Sequence, residues 1–387
     1  MSLAQKFLNK IPQYTRNSRH LRSVLQHGNI KKWFNLLRVE FERKLRRIEV
    51  VSNPYLLIID PCNFCNLRCP LCPTGLNDLK RDQAMMSFEH FKHYFEPHIP
   101  YLFEVYLHNW GESLINKEVY KMIEYAQSKN VGTNLSSNFV IVTSDDIDKI
   151  LDSGLEYLVI SLDGTSQETY AQYRIRGEYD RVIKNLKELI RKRNERGLTL
   201  PVIEWQYIVM KQNEHEIPEA EKLAAEMGVD LLRFIPVGMP YEFKNRKETA
   251  DKWYPTSVTG RNESDHEEQQ FGQSEKPGPC MYLYRSMVVN PDGGVSPCCV
   301  VYQQNRDFDD LSKIEGPIDL NTVWNNDKFV SARSLFSSKK PAKRRPTVCD
   351  GCDIFVKHPS AARRPKMPGI TVENKAPVEM AKKQCSK

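Results

Sequence analysis

Cys65, Cys69 and Cys72 stand at spacings of four and three in the stretch Cys65-Asn66-Leu67-Arg68-Cys69-Pro70-Leu71-Cys72. Three thiolates this close together can hold three irons of a cubane iron–sulfur cluster. The fourth iron then has no protein ligand and is free to bind a small molecule. A structural zinc ion would instead need a fourth ligand, which Cys62 could supply. Just upstream, Tyr55-Leu56-Leu57-Ile58-Ile59-Asp60 is a short apolar run that reads as a buried strand. The cysteines therefore leave the end of a first strand, where α/β barrels and open α/β sheets put their chemistry.

The chain has 387 residues, a length that suggests two or three domains. No apolar run reaches the roughly 18 residues of a membrane span. The N-terminus lacks the apolar core of a signal peptide. In a large chain without such a signal, clustered cysteines read as metal ligands in a reducing compartment, so a cytoplasmic protein is expected. The net charge of +7 is unevenly placed. Residues 1–50 hold 12 Lys/Arg against 3 Asp/Glu, a net +9, which leaves the rest of the chain at about −2. A protein that coats nucleic acid would be basic throughout, so no DNA partner is expected.

Within this basic arm, Trp33, Leu36, Leu37, Phe41 and Leu45 recur at helical steps. The expected arrangement is a helix packed on the main body through that stripe. Contact with a membrane surface or an acidic partner is the other reading. Residues 51–237 alternate strand and helix patterns. Strands are expected at 55–60, 105–107, up to 137, 157–162, 202–210 and 231–236, with helices near 116–129 and 178–196. Six βα units in a row predict an α/β fold with a parallel sheet and right-handed crossovers. Residues 238–279 are polar and read as a linker or lid. A compact unit follows over 280–356, and 357–387 reads as a basic, flexible tail.

At the cysteine triplet the chain resembles the radical S-adenosylmethionine (SAM) superfamily, whose signature is Cys-x3-Cys-x2-Cys. The resemblance implies a partial (β/α)6 TIM-like barrel and a 4Fe-4S cluster on Cys65, Cys69 and Cys72. It further implies SAM bound through the unique iron and cleaved to a 5′-deoxyadenosyl radical that abstracts a substrate hydrogen. Leu71 stands where an aromatic residue is common. Asn109-Trp110-Gly111-Glu112-Ser113 resembles the Gly-Gly-Glu-Pro motif that holds the SAM amino group, with Gly111 and Glu112 retained. Ser137 and Ser161, at the ends of strands three and four, are similar to ribose-binding positions. Asp163 suits either that role or helix capping. One of Arg174 and Arg176 is expected to pair with the SAM carboxylate, and its place before glycine favours Arg176. Asn213 resembles an asparagine near SAM in relatives.

Cys280, Cys298, Cys349 and Cys352 form a second set of candidate ligands, suited by spacing alone to zinc or to a fully ligated 4Fe-4S cluster. The stretch Asp292-Gly293-Gly294-Val295-Ser296-Pro297-Cys298 predicts a hairpin delivering Cys298. Strand alternation would turn Cys299 away. Together with Trp324-Asn325 and Ala332-Arg333, this pattern resembles the SPASM/twitch extension of radical SAM enzymes and implies one auxiliary 4Fe-4S cluster. Lone Cys62 and Cys385 read as ordinary small hydrophobes. The resulting expectation is an oxidoreductase or mutase acting on a small molecule such as a sugar or nucleotide-sugar, with flavodoxin or ferredoxin as electron donor. Peptide-modifying relatives usually carry a leader-binding domain of mixed strands and helices, and residues 1–50 are short and helical. A peptide- or RNA-modifying radical enzyme and a non-catalytic metal scaffold are the alternatives.

Overall fold

The computed structural model describes residues 16–239, 245–256, 278–352 and 371–373. Two helices come first, α1 (Arg16–Gln26) and α2 (Ile30–Lys44). Six strands follow: β1 (Leu56–Ile59), β2 (Glu104–Tyr106), β3 (Gly132–Ser137), β4 (Tyr157–Ser161), β5 (Val202–Val209) and β6 (Leu231–Pro236). They pair in chain order and all run parallel. The connections carry α3 (Phe88–Phe95), α4 (Val119–Ser128), α5 (Ser144–Asp152), α6 (Gln167–Tyr173), α7 (Tyr179–Glu195) and α8 (Ile217–Met227). This is the expected partial (β/α)6 barrel.

Local chemistry sets the element ends. Thr143 and Asp146 form a reciprocal capping box that starts α5. Val182, Leu186, Leu189 and Ile190 of α7 fall at three- and four-residue steps and are buried. On the strands, Leu57, Val105, Leu135, Leu158, Trp205 and Leu232 join the helices in one core. Alternate residues form the inner face, where Tyr157, Val159 and Leu231 make a separate small cluster.

The barrel is open on the β1 side, where the C-terminal unit continues the sheet. Helix α9 (Arg246–Trp253) lies inside the expected linker and buries Trp253 against Tyr173, ring centroids 5.5 Å apart. After α10 (Tyr282–Arg285), β7 (Ser286–Val289) pairs parallel with β1, Leu57 opposite Met287. β8 (Gly294–Ser296) and β9 (Asp309–Asp310) extend the sheet antiparallel. The turn between β7 and β8 needs Gly293, whose φ is +89°. Helices α11 (Leu320–Trp324) and α12 (Asp327–Ser334) cover this end. The core runs without a break from Val39 to Val348. At the other edge β10 (Thr371–Glu373) pairs antiparallel with β6, so part of the expected flexible tail is a strand. The rest of that tail and of the expected linker lies outside the described residues.

The basic arm is built differently from its sequence expectation. α1 closes the N-terminal end of the barrel. Arg19 donates to the Tyr106 hydroxyl at 2.7 Å and lies over the Tyr157 ring at 4.6 Å. His20 Nδ1 is 2.7 Å from Glu104 Oε1, and Ser23 donates to the Phe103 carbonyl at 3.0 Å. In α2 the buried residues are Lys32, Asn35, Val39 and Glu42. Of the stripe expected to pack on the body, Leu36 is half-buried against the core, whereas Trp33, Leu37, Phe41 and Leu45 are exposed. Three polar anchors outweigh the stripe because each finds a matched partner in the body.

Candidate iron–sulfur and S-adenosylmethionine site

The loop after β1 carries Cys65, Cys69 and Cys72 to the C-terminal end of the strands. Cys69 is buried and the other two are half-buried. Burial pushes the Cys65 thiol up to about 12 and the Cys69 thiol up to about 11, and the charges of neighbouring cysteines add to this. Thiols packed this way become thiolates together only when a cation lies between them. The Cys65 sulfur accepts the Leu67 N–H at 3.3 Å and the Asn138 amide at 3.6 Å. Such donors favour a thiolate sulfur. Among the described residues, no three His, Cys, Asp or Glu side chains converge on a single-ion site. Three thiols without a fourth protein donor leave one iron of a cubane open, so the donor set fits a 4Fe-4S cluster.

Beside the cysteines sits the loop after β2. The Glu112 N–H donates to the Phe64 carbonyl at 2.9 Å. The Glu112 carboxylate is buried and accepts the backbone N–H of Asn138 at 2.7 Å and of Leu114 at 3.2 Å. Burial raises its pKa, and these hydrogen bonds oppose that rise. Gly111 passes so close to the cysteine loop that a Cβ there would lie 1.9 Å from the Cys62 carbonyl oxygen. Below it, buried Asp60 accepts the N–H of Trp110 at 2.9 Å and of Gly111 at 3.4 Å. Its other oxygen has no partner, and burial pushes its pKa up to about 7. Sequence reasoning missed Asp60, although it ends the apolar run that announced β1.

Ser137 and Ser161 are buried at the ends of β3 and β4. The Ser137 hydroxyl accepts from Phe139 N at 2.9 Å. Asp163 makes no helix cap. It accepts from Ile208 N at 2.7 Å and from Arg174 Nε at 2.5 Å. Arg174 Nη1 reaches within 3.9 Å of the Cys69 sulfur. The structure thus brings Arg174 to the cysteines and leaves Arg176 exposed. A left-handed turn at Arg176, φ +72°, directs its side chain outward before Gly177. Asn213 is fully buried beside Asp163, and its amide is spent on the backbone of Asp163, Ile208 and Met210. It braces the end of β5.

The inner face of the barrel opens toward this site. Tyr106, His108, Ser136, Gln206, Ile208, Arg233 and Ile235 are half-buried, whereas residues between them are buried. Arg233 donates to Glu204 at 2.6 Å and to Gln206 at 2.7 Å. His108 stacks on Tyr106, and burial pushes its pKa down to about 4, so the imidazole is neutral.

In the C-terminal unit, burial and shared charge raise the thiols of Cys280, Cys298 and Cys349, and Cys352 adjoins Cys280 and Cys349. Each of the four cysteines is near enough to at least one other for their charges to interact. β8 ends at Ser296, so Cys298 and Cys299 sit in a turn where strand alternation does not apply. Cys299 does not face away. It contributes charge at both Cys280 and Cys298, and its thiol donates to the Tyr282 hydroxyl at 3.7 Å.

Likenesses to solved structures and to curated relatives accord with this geometry. SuiB of Streptococcus suis bound to S-adenosylmethionine shares the fold at TM-score 0.55 and 16% identity, over 83% of this chain and 74% of that one. SuiB has also been solved bound to its precursor peptide SuiA. The mycofactocin maturase MftC of Mycolicibacterium smegmatis is 28% identical over 50% of this chain and 45% of its own length. The pre-heme d1 synthase of Dinoroseobacter shibae is 26% identical over 48% of this chain and 45% of its own. The chain thus spans less than half the length of these curated relatives. The radical SAM superfamily model matches residues 59–224, and the SPASM model of an iron–sulfur cluster-binding domain matches residues 280–353. These matches imply 4Fe-4S clusters. The chain belongs to the radical SAM superfamily and carries a C-terminal SPASM domain.

Proposed function

We propose that this chain is a radical SAM oxidoreductase or mutase that acts on a small polar molecule, a sugar or nucleotide-sugar being the best fit. When bound, a 4Fe-4S cluster carrying SAM supplies a 5′-deoxyadenosyl radical able to take a hydrogen atom from an unactivated carbon. In this reading Cys65, Cys69 and Cys72 hold that cluster. Glu112 accepts from the SAM ammonium through lone pairs left free by Asn138, Leu114 and Ser137. Gly111 allows the close approach that puts Glu112 there. Arg174, held by Asp163, faces the SAM carboxylate, and Ser137 and Ser161 lie at the ribose.

Cys280, Cys298, Cys349 and Cys352 would hold an auxiliary cluster, which would supply an electron acceptor for a net oxidation. A flavodoxin or ferredoxin delivers the first electron. The observation that carries the small-molecule reading is the inner face. Its half-buried hydroxyl, amide and imidazole groups at Tyr106, His108, Ser136 and Gln206 can fix a molecule rich in hydroxyls. A peptide substrate is the second reading, supported by the likeness to SuiB with its precursor peptide.

The test uses anaerobically reconstituted, reduced protein, with 5′-deoxyadenosine measured against panels of sugar nucleotides and of peptides. Stimulation by one panel member, with deuterium passing from it into 5′-deoxyadenosine, identifies the substrate class. In Cys349→Ala/Cys352→Ala protein, SAM cleavage is expected to persist while product formation is lost. Normal product formation by that variant would refute the acceptor role.

A further inference from the structure

Helix α2 is mounted with its apolar side outward. Lys32 Nζ donates to the carbonyls of His27 at 3.0 Å and Asn130 at 2.7 Å. Asn35 and Asn53 exchange hydrogen bonds of 2.8 and 2.9 Å. Glu42 accepts from Val51 N at 3.1 Å, from Ser52 N at 3.2 Å and from the Ser52 hydroxyl at 2.5 Å. The polar side is thereby locked to the body. On the other side Ile30 is 84% exposed, Phe34 65%, Leu37 67% and Phe41 58%, with Trp33 and Leu45 also exposed. At about 100° per residue these six occupy an arc of roughly 120°. A continuous exposed apolar face of this kind marks a surface made to be covered.

The charges around the arc say by what. Lys31 and Arg38 border it on one side, and Lys44 projects within it. The carboxylate on the other border, Glu40, is neutralised by Arg285 at 2.5 Å and Arg43 at 2.9 Å. Aromatic and leucine side chains rimmed by unopposed lysine and arginine are the pattern of a helix lying in a membrane interface. We propose that α2 seats this protein on a membrane surface bearing anionic lipid headgroups. A second copy is a poor occupant, because a two-fold interface would press one +9 arm against another.

The orientation follows from the fold. α1 and α2 contact residues at the N-terminal ends of the strands, among them Phe103, Asn130 and Asn53. The loop bearing Cys65, Cys69 and Cys72 follows β1 and lies at the opposite ends. A membrane at α2 therefore leaves the barrel mouth facing the aqueous phase, and the substrate arrives from that side.

The experiment is co-sedimentation of the full-length, reconstituted protein with vesicles of phosphatidylcholine alone or mixed with phosphatidylglycerol, at low and high salt. Binding is expected only to the anionic vesicles and only at low salt. Phe34→Gln/Leu37→Gln/Phe41→Gln protein is expected to bind at least about tenfold more weakly, with iron content and basal 5′-deoxyadenosine formation unchanged. Lys31→Glu/Arg38→Glu protein, which keeps the apolar arc, is expected to lose the preference for anionic lipid. No binding of the intact protein to anionic vesicles at low salt would overturn the proposal. So would a dimer in solution that the triple variant converts to monomer.

Discussion

Trp110 and Tyr302 meet edge-on, their ring centroids 5.3 Å apart and their planes at 70°. The Trp110 indole N–H also donates to the Val301 carbonyl at 3.3 Å. Trp110 belongs to the loop that carries Gly111 and Glu112, and Tyr302 lies a few residues past Cys298. Trp110, which stands where the Gly-Gly-Glu-Pro pattern has its first glycine, therefore ties the loop of Glu112 to the unit holding the second cysteine set. Trp110→Ala is expected to destabilise the protein by roughly 2 kcal/mol, because the indole is only half-buried. Thermal unfolding under anaerobic conditions measures this.

Arg81 makes the stronger tie between the same two parts. Its buried guanidinium bridges Asp292 and Asp307, each at 2.6 Å. Arg81→Ala leaves two carboxylates facing each other without a cation and is expected to cost about 3 kcal/mol or more. Arg81→Lys is expected to recover only part of that, since one ammonium cannot match the fork. Denaturant midpoints of the three proteins check the order.

Gly111→Ala places a methyl group onto the Cys62 carbonyl and must displace the loop bearing Glu112. SAM binding, measured by equilibrium dialysis on reconstituted protein, is expected to fall at least about tenfold. Iron content is expected to stay unchanged, because the three cysteines do not depend on that loop for their bonds. Loss of iron together with SAM binding would place the effect in the cysteine loop instead.

His98 is fully buried with neither ring nitrogen hydrogen-bonded, and burial pushes its pKa down to about 3. The unfolded chain protonates this histidine near 6.5, while the folded chain does not. Between pH 6.5 and about 3 the unfolded state thus binds more protons, and stability falls as pH falls. At pH 5 the loss from this one residue is about 2 kcal/mol. His98→Phe, which keeps the ring shape, is expected to be less acid-sensitive than the parent over pH 7 to 5 in urea unfolding.

Much of the fold is legible in the chain because short apolar runs such as Tyr157–Leu162 alternate with longer segments of clean helical periodicity, the pattern of a buried parallel sheet. The cysteine sets are legible because metal chemistry fixes their spacing. What escapes the sequence depends on specific partners. Periodicity says that Trp33, Phe41 and their neighbours share a face of α2. It cannot say that Lys32, Asn35 and Glu42 each find a carbonyl, amide or hydroxyl partner and turn that face outward. The place before glycine favours Arg176 in the sequence, and only the left-handed turn there turns it outward and leaves Arg174 beside Cys69. Cys299 was expected to face away by strand alternation, but β8 stops at Ser296.

In the proposed reading Cys65, Cys69 and Cys72 hold a SAM-binding cluster distinct from the one in the C-terminal unit. Iron counting with 5′-deoxyadenosine assay on Cys65→Ala/Cys69→Ala/Cys72→Ala protein tests it most directly. The parent is expected to hold about eight irons in two clusters of four. The triple variant is expected to keep about half of them and to form no 5′-deoxyadenosine. Full iron retention, or 5′-deoxyadenosine formation by the triple variant, would contradict the assignment.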